Sequence, residues 1–256
     1  MSNKESIAEI KAKLLSGTFS SEWKEMITKD SRKGVQQALN QYNKRQEKLE
    51  KLHHRFLEMS TWENTYWQED HLYVAGVDEV GRGPLAGPVV AAAVILDSTF
   101  YLPGIDDSKK LSEKNKEDFF QYILQEAISV GVSVISHDQI DQMNIYESTK
   151  VAMKDAINNL EVTPHRLLLD AMELKDLPIE QVSLIKGDSK SISIAAASIV
   201  AKVTRDRLMK ELHMDFPVYG WDKNMGYGTA EHLDGLDAHG PSPYHRKSFE
   251  PVKIRS

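Results

Sequence analysis

Apolar residues recur along this chain with two different periods, and the period changes near residue 71. In the first part, Ile7, Ile10 and Leu14 repeat at helical spacing, with Gly17 as a stop. A longer stripe of Val35, Leu39, Tyr42, Leu49, Leu52, Phe56 and Met59 predicts a helix over residues 32–58. Ser60 followed by Glu63 resembles a capping box for a short helix carrying Trp62, Tyr66 and Trp67.

Beyond that point the runs are those of strands. Residues 72–77 and 88–96 are continuously apolar and bounded by glycine and proline, which predicts two strands of one sheet. Val130, Val132 and Val134 alternate, so residues 129–136 form a third. Arg166–Asp170 is an apolar run ending in an acid, the pattern of a central strand covered on both faces. Residues 182–185 are a further short strand. Helical stretches separate the later strands. One is capped by Ser112, with Phe119, Ile123 and Ala127 on one face, and another spans residues 144–160. The third, residues 191–212, begins ISIAAASIVA, small and apolar on nearly all sides, and is expected against a sheet. Phe216-Pro217 breaks it, and Thr229 caps a last helix ending at Gly240-Pro241. The class is α/β. The domain reading is a helical extension over residues 1–70 and a catalytic domain over residues 71–256.

Composition narrows the chemistry. The chain has 256 residues and no cysteine, which removes disulfides, thiolate nucleophiles and cysteine zinc sites, and suits a reducing compartment. The start lacks an apolar signal core, and no apolar run approaches the roughly 20 residues of a membrane span. A cytoplasmic protein with no membrane partner is expected. The net charge of −6 counts against a nucleic-acid binder, less so where acids hold divalent cations.

Acids stand at the ends of several predicted elements. Asp78 and Glu79 follow the first strand, Asp170 ends the central one, and Asp188 precedes the long helix. Ligands of open α/β sheets sit at the carboxyl ends of strands. Adjacent strand residues face opposite ways, so one of Asp78 and Glu79 faces inward unless the strand stops between them. An inward carboxylate needs a partner or a metal. Hard oxygen donors suit Mg²⁺ or Mn²⁺. Simpler readings stand beside each: Asp78 and Glu79 decorate a turn, Asp170 starts one, and Asp188 is only a helix cap. GRGPLAG lacks the ending of a phosphate loop. Lys109 and Lys110, beside the helix cap, either bind phosphate or lie exposed to solvent. Basic residues 44–55 either touch a nucleic-acid backbone or form a solvated helix face. The tail 244–249, basic with aromatics, either contacts phosphates or closes the domain. Arg205 and Asp206 are read as structural.

The segment DEVGRGPLAGPVVAAAV, with DSKKLS and GYGT further on, resembles the signature of ribonuclease HII. The likeness spans roughly residues 72–250 and does not rest on the N-terminal helices. It implies a ribonuclease H-like mixed sheet flanked by helices, with C-terminal helices and the extension in front. It implies an endoribonuclease that degrades the RNA of RNA–DNA hybrids and incises 5′ of ribonucleotides embedded in duplex DNA, leaving 3′-hydroxyl and 5′-phosphate ends. By motif, Asp78, Glu79, Asp170 and Asp188 are its catalytic and metal-binding acids, working with two Mg²⁺ or Mn²⁺ ions. Gly81, Arg82 and Gly83 match the element that reads the ribose, and Tyr227 the residue that senses the junction to the next deoxynucleotide. Lys109, Lys110 and Ser189 complete the substrate-binding candidates. The partner implied is nucleic acid, and a monomer is expected. Met225 departs from the family pattern, which has lysine before GYGT. Taken without the family, Tyr227 reads first as a packed core aromatic. Two rival functions remain: a hybrid-binding protein without activity, and a metal-dependent phosphoesterase indifferent to ribose.

Overall fold

The structure is a computed structural model that describes residues 5–68 and 73–255. Two compact units divide between Arg55 and Phe56. The boundary placed at residue 70, and the strand start at Leu72, lie outside the described residues.

The first unit contains α1 (Ile7–Ser16), α2 (Ser21–Thr28) and most of α3 (Lys33–Met59). Ser6 and Glu9 form a capping box for α1, and Gly17 closes it at φ 69°. Ile10, Leu14, Ile27, Val35, Ala38 and Leu39 make its core. Short α2 buries only Ile27, too little for a periodic signal. The apolar stripe of α3 is not one face in one core. Val35 and Leu39 belong to the first unit, Phe56 and Met59 to the second, and Leu49 between them is exposed. The basic residues Lys44, Arg45, Lys48 and Lys51 are exposed as well.

The second unit begins with the end of α3 and α4 (Thr61–Gln68). It continues with β1 (Val74–Val80), β2 (Val89–Ile95), α5 (Glu113–Glu126), β3 (Ser129–Ile135), α6 (His137–Met143) and α7 (Ile145–Asn158). Then come β4 (Arg166–Asp170), β5 (Glu180–Leu184), α8 (Ile192–Asp215), α9 (Trp221–Asn224) and α10 (Ala230–His239). The five strands form one mixed sheet in the order β3-β2-β1-β4-β5. β1 pairs antiparallel with β2, and β2 with β3, whereas β1, β4 and β5 run parallel. The pleat of β2 sorts its side chains between two cores. Val90, Ala92 and Val94 pack with α8 residues Ile192, Ala195 and Ile199. Val89, Ala91, Ala93 and Ile95 pack with Ala152, Met153 and Ala156 of α7. The result is helix, sheet, helix. Among the described residues no helix is long and apolar enough to cross a membrane.

α8 lies against β1 at backbone contact. A Cβ on Gly76 would fall 2.1 Å from the Ser193 carbonyl carbon, so only glycine permits the approach. This seats the start of α8 over the strand that carries Asp78 and Glu79.

Glu63 departs from expectation. The Ser60 hydroxyl donates to the Phe56 carbonyl at 2.7 Å, as an extension of α3, and no capping box forms with Glu63. Glu63 is instead fully buried, and its Oε1 accepts from the Ser193 amide at 3.0 Å and from the hydroxyls of Ser191 and Ser193. A carboxylate from α4 thus satisfies the start of α8, where free amides and the helix dipole favour negative charge. α6 was also absent from the pattern, because its seven residues bury only Ile140.

Candidate metal centre

Three parallel strands deliver their carboxyl ends to one edge of the sheet. Asp78 and Glu79 come from β1, and Asp170 is the last residue of β4. After β5 the chain passes Lys186, at φ 57°, into a 3-10 turn over Gly187–Ser189 that carries Asp188. The acids of β1 do not stand past its end. β4 pairs with β1 only as far as Val77, but antiparallel β2 continues opposite Asp78, Glu79 and Val80. The strand therefore extends through both acids with one neighbour missing, and that gap opens toward Asp170.

Asp78, Asp170 and Asp188 each place a ligand oxygen within 4.8 Å of the others. A cavity of about 340 Å³ is lined by these three together with Glu79, Ser108, Lys109, Ser198, Lys202 and Tyr227. Asp78 is buried, and its Oδ1 accepts the Glu79 amide at 2.8 Å. The Gly187 amide donates to Oδ1 of Asp170 at 2.7 Å, tying the turn that holds Asp188 to the end of β4. Burial holds the Asp78 carboxyl well above the usual range, and the charges of Glu79 and Asp170 push it further. Burial also raises Glu79, against the pull of Arg82. Asp188 is raised by burial and by the charges of Asp107 and Asp170. Glu79 Oε1 meets Arg82 at 3.2 Å, while Oε2 is buried without a hydrogen-bond partner.

This is the signature of a cation site. Hard carboxylate oxygens converge, repel one another, and one buried oxygen has no proton donor to satisfy it. Asp78, Asp170 and Asp188 fit a divalent ion of the Mg²⁺ or Mn²⁺ type, with Glu79 beside them.

The remaining predicted residues fall around this cavity. Lys109 lines it. Lys110 donates to Asp106 at 3.0 Å and to the Ser189 hydroxyl at 3.2 Å, linking two loops at the rim. Gly81 turns the chain at φ 94°, and a Cβ there would meet Arg205 Nε at 2.2 Å. Arg82 and Gly83 are exposed. Tyr227 is 44% exposed, so it is not a packed core aromatic. A Cβ on Gly83 would lie 3.6 Å from the Tyr227 ring, so the two elements are neighbours.

Sequence reading missed Ser108, Ser198 and Lys202. The hydroxyls of Ser108 and Ser198 meet at 3.0 Å, and Ser198 also hydrogen-bonds Asp78. Ser198 and Lys202 sit four residues apart on α8, a spacing that puts both on one face, but the small, apolar first half of the helix masks it. Asp206 pairs with Lys202 at 2.6 Å. Arg205 is buried and donates to the carbonyls of Pro88 at 2.9 Å, Met225 at 2.9 Å and Ala86 at 3.2 Å. Burial pulls its pKa down to about 10.

Comparison with known proteins matches two family models. Residues 75–252 match "Ribonuclease HII" and residues 6–67 match "Ribonuclease HII N-terminal domain". A ribonuclease HII of Bacillus cereus (strain Q1) is 55% identical over 229 residues, covering 90% of this chain and 89% of the relative. One from Bacillus anthracis (strain CDC 684 / NRRL 3495) is 56% identical over the same shares. Among solved structures, ribonuclease H2 from Pyrococcus horikoshii OT3 aligns with a TM-score of 0.62 at 26% identity, over 71% of this chain and 96% of that one. Bst-RNase HIII, solved in complex with Mn²⁺, aligns with a TM-score of 0.59 at 20% identity, over 72% of this chain and 68% of that one, a likeness of fold.

Proposed function

Because the chain belongs to the ribonuclease HII family, and so is a metal-dependent ribonuclease H acting on RNA–DNA hybrids, we propose that it also incises duplex DNA on the 5′ side of an embedded ribonucleotide. The products would carry 3′-hydroxyl and 5′-phosphate ends. The observation that carries this reading is that one cavity is lined both by the three converging aspartates and by Tyr227. Cutting and selection then act on neighbouring nucleotides.

In this proposal Asp78, Glu79, Asp170 and Asp188 hold two divalent ions, Mg²⁺ or Mn²⁺. Such a pair supplies Lewis acidity for an in-line displacement, favouring the attacking water and the leaving oxygen. The protein's own groups do the rest. Lys109, on the wall of the cavity, steers the phosphate. Lys110 and Ser189 fix the rim beside it. Exposed Gly83 lets the backbone approach a sugar closely, and residues 81–83 read the 2′-hydroxyl that distinguishes RNA from DNA. The Tyr227 ring packs on the following sugar and disfavours a hydroxyl there. Such an activity serves primer removal and excision of misincorporated ribonucleotides.

The test is cleavage of a duplex containing one ribonucleotide, with Mg²⁺, with Mn²⁺ and with a chelator, beside an all-DNA control. A single metal-dependent nick 5′ of the ribonucleotide is expected. No nick there, with the hybrid still cut, would overturn the junction reading. Equal cutting of the all-DNA control would favour a ribose-indifferent phosphoesterase.

A further inference from the structure

The two elements assigned to ribose recognition are held from behind by a pair of buried residues adjacent in sequence. His245 and Arg246 are both 0% exposed, so this tail closes the domain. Arg246 donates to the carbonyls of Gly81 at 2.6 Å, Arg82 at 3.1 Å and Gly87 at 3.0 Å. Its backbone amide donates to Leu85 at 2.8 Å. The guanidinium therefore occupies the inner side of loop 81–87 and leaves its outer side to substrate.

His245 reaches the other element through a proton chain with one possible assignment. The Ser242 amide donates to His245 Nδ1 at 2.8 Å. An amide N–H can only donate, so Nδ1 carries no hydrogen and the ring is neutral with its hydrogen on Nε2. That hydrogen points at His232 Nε2, 2.9 Å away. The Trp221 indole N–H, also only a donor, meets the same nitrogen at 3.1 Å. His232 Nε2 accepts both, so its hydrogen is on Nδ1, 2.9 Å from the Tyr227 carbonyl oxygen. Burial lowers the pKa of both rings, His245 to about 3, in keeping with neutral imidazoles.

We propose that His245 and Arg246 are positioning residues for substrate selection. They fix the separation between loop 81–83 and Tyr227, with His232 carrying the constraint to the Tyr227 backbone. This rests on the ribose-reading role proposed above for those elements. Neither residue lines the acid cavity, so their loss acts on which sugar is accepted and leaves the metal site intact. Gly226, at φ 84°, and Gly228 flank Tyr227, so hydrogen bonds to its carbonyl, from His232 and from the Thr229 amide at 2.8 Å, hold the ring's base in place.

The experiment compares His245→Phe, His245→Gln, Arg246→Lys and Tyr227→Ala with the parent. Rates are measured on a one-ribonucleotide duplex and on a continuous RNA–DNA hybrid, Mn²⁺ affinity by calorimetry, and the imidazole tautomers by nitrogen NMR. In the parent, His232 should carry its hydrogen on Nδ1 and His245 on Nε2. His245→Phe should lose about tenfold on the one-ribonucleotide duplex relative to the hybrid, with Mn²⁺ affinity unchanged. His245→Gln, which restores a donor toward His232, should recover most of that loss. Arg246→Lys keeps the charge without the three-carbonyl fork and, because loop 81–83 reads a hydroxyl that both substrates carry, should slow both with Mn²⁺ affinity unchanged. Equal losses of His245→Phe on both substrates, an altered Mn²⁺ affinity in Arg246→Lys, or the opposite tautomer of His232 in the parent, would overturn the proposal. The tautomers decide the matter if a variant does not fold. Failure of the ribose-reading role itself would appear separately, as an unchanged junction rate in Tyr227→Ala.

Discussion

The ring of Tyr227 lies 3.6 Å from where a Cβ on Gly83 would stand. Residues 144 positions apart in the chain thus meet, and one of them, Tyr227, lines the acidic cavity. Both are exposed; His232 meets the Tyr227 carbonyl, and Arg246 holds the carbonyls of Gly81 and Arg82 next to Gly83.

Tyr227→Ala should therefore damage selection more than chemistry. Loss of a stacking ring costs roughly 1–3 kcal/mol, about tenfold to a hundredfold in rate on a one-ribonucleotide duplex. Mn²⁺ affinity by calorimetry should not change, because the three aspartates remain together. A full rate on that duplex would show that the ring does not touch the sugar.

Asp78→Asn should remove a ligand and a repelling charge at once. Loss of several kcal/mol of transition-state stabilisation corresponds to about a thousandfold or more in turnover. Without metal the variant should melt higher than the parent, because the charges of Glu79 and Asp170 oppose ionised Asp78. A nicking assay and thermal unfolding in chelator check both halves. Normal turnover would refute the role of Asp78.

The acid cluster's contribution to the stability of the metal-free protein should fall as pH rises, whereas that of the neutral His232 and His245 rises. Asp78, Glu79 and Asp188 all have raised pKa values, so the fold favours their protonated forms. A raised carboxyl pKa stabilises most below the unfolded value, and that stability is lost as pH climbs through the folded value. Divalent cations should reverse the loss, and their stabilising effect should be larger at pH 7.5 than at pH 5. At a hundredfold excess over the dissociation constant it should approach about 2.7 kcal/mol. Thermal unfolding with and without Mg²⁺, across pH, measures it; an effect independent of pH would contradict a carboxylate site.

A chain beginning at Phe56 should fold and bind Mn²⁺, whereas one beginning at residue 71 should be severely destabilised. The second truncation removes Phe56 and Met59 from the core against β2 and takes Glu63 from the start of α8. Core losses of this kind cost about 3–5 kcal/mol each for large side chains. Chemical denaturation of the two chains decides it, and equal stability would mean that α4 contributes nothing to the fold.

The sequence determined what short-range chemistry can encode. Period and punctuation placed the strands within a few residues, because a buried strand such as Arg166–Asp170 must be apolar wherever it lies. Ser112 and Thr229 announced α5 and α10 as their caps, accepting from Asn115 and His232, because a cap is satisfied within four residues. The motif DEVGRG marks Asp78 and Glu79, and GYGT marks Tyr227, as candidates.

Only the tertiary structure decided which distant groups share a proton or a charge. Glu63 looks like a local cap and is the partner of Ser191 and Ser193, because the free amides it meets are at the start of α8, 128 to 130 positions along the chain. Arg205, Arg246, His232 and His245 carry no local pattern. Their partners are backbone carbonyls and ring nitrogens, which every sequence contains, and only the packing of the tail against loop 81–87 selects among them. The parallel order of β1, β4 and β5 then brings three aspartates within 4.8 Å, a distance that no spacing along the chain specifies.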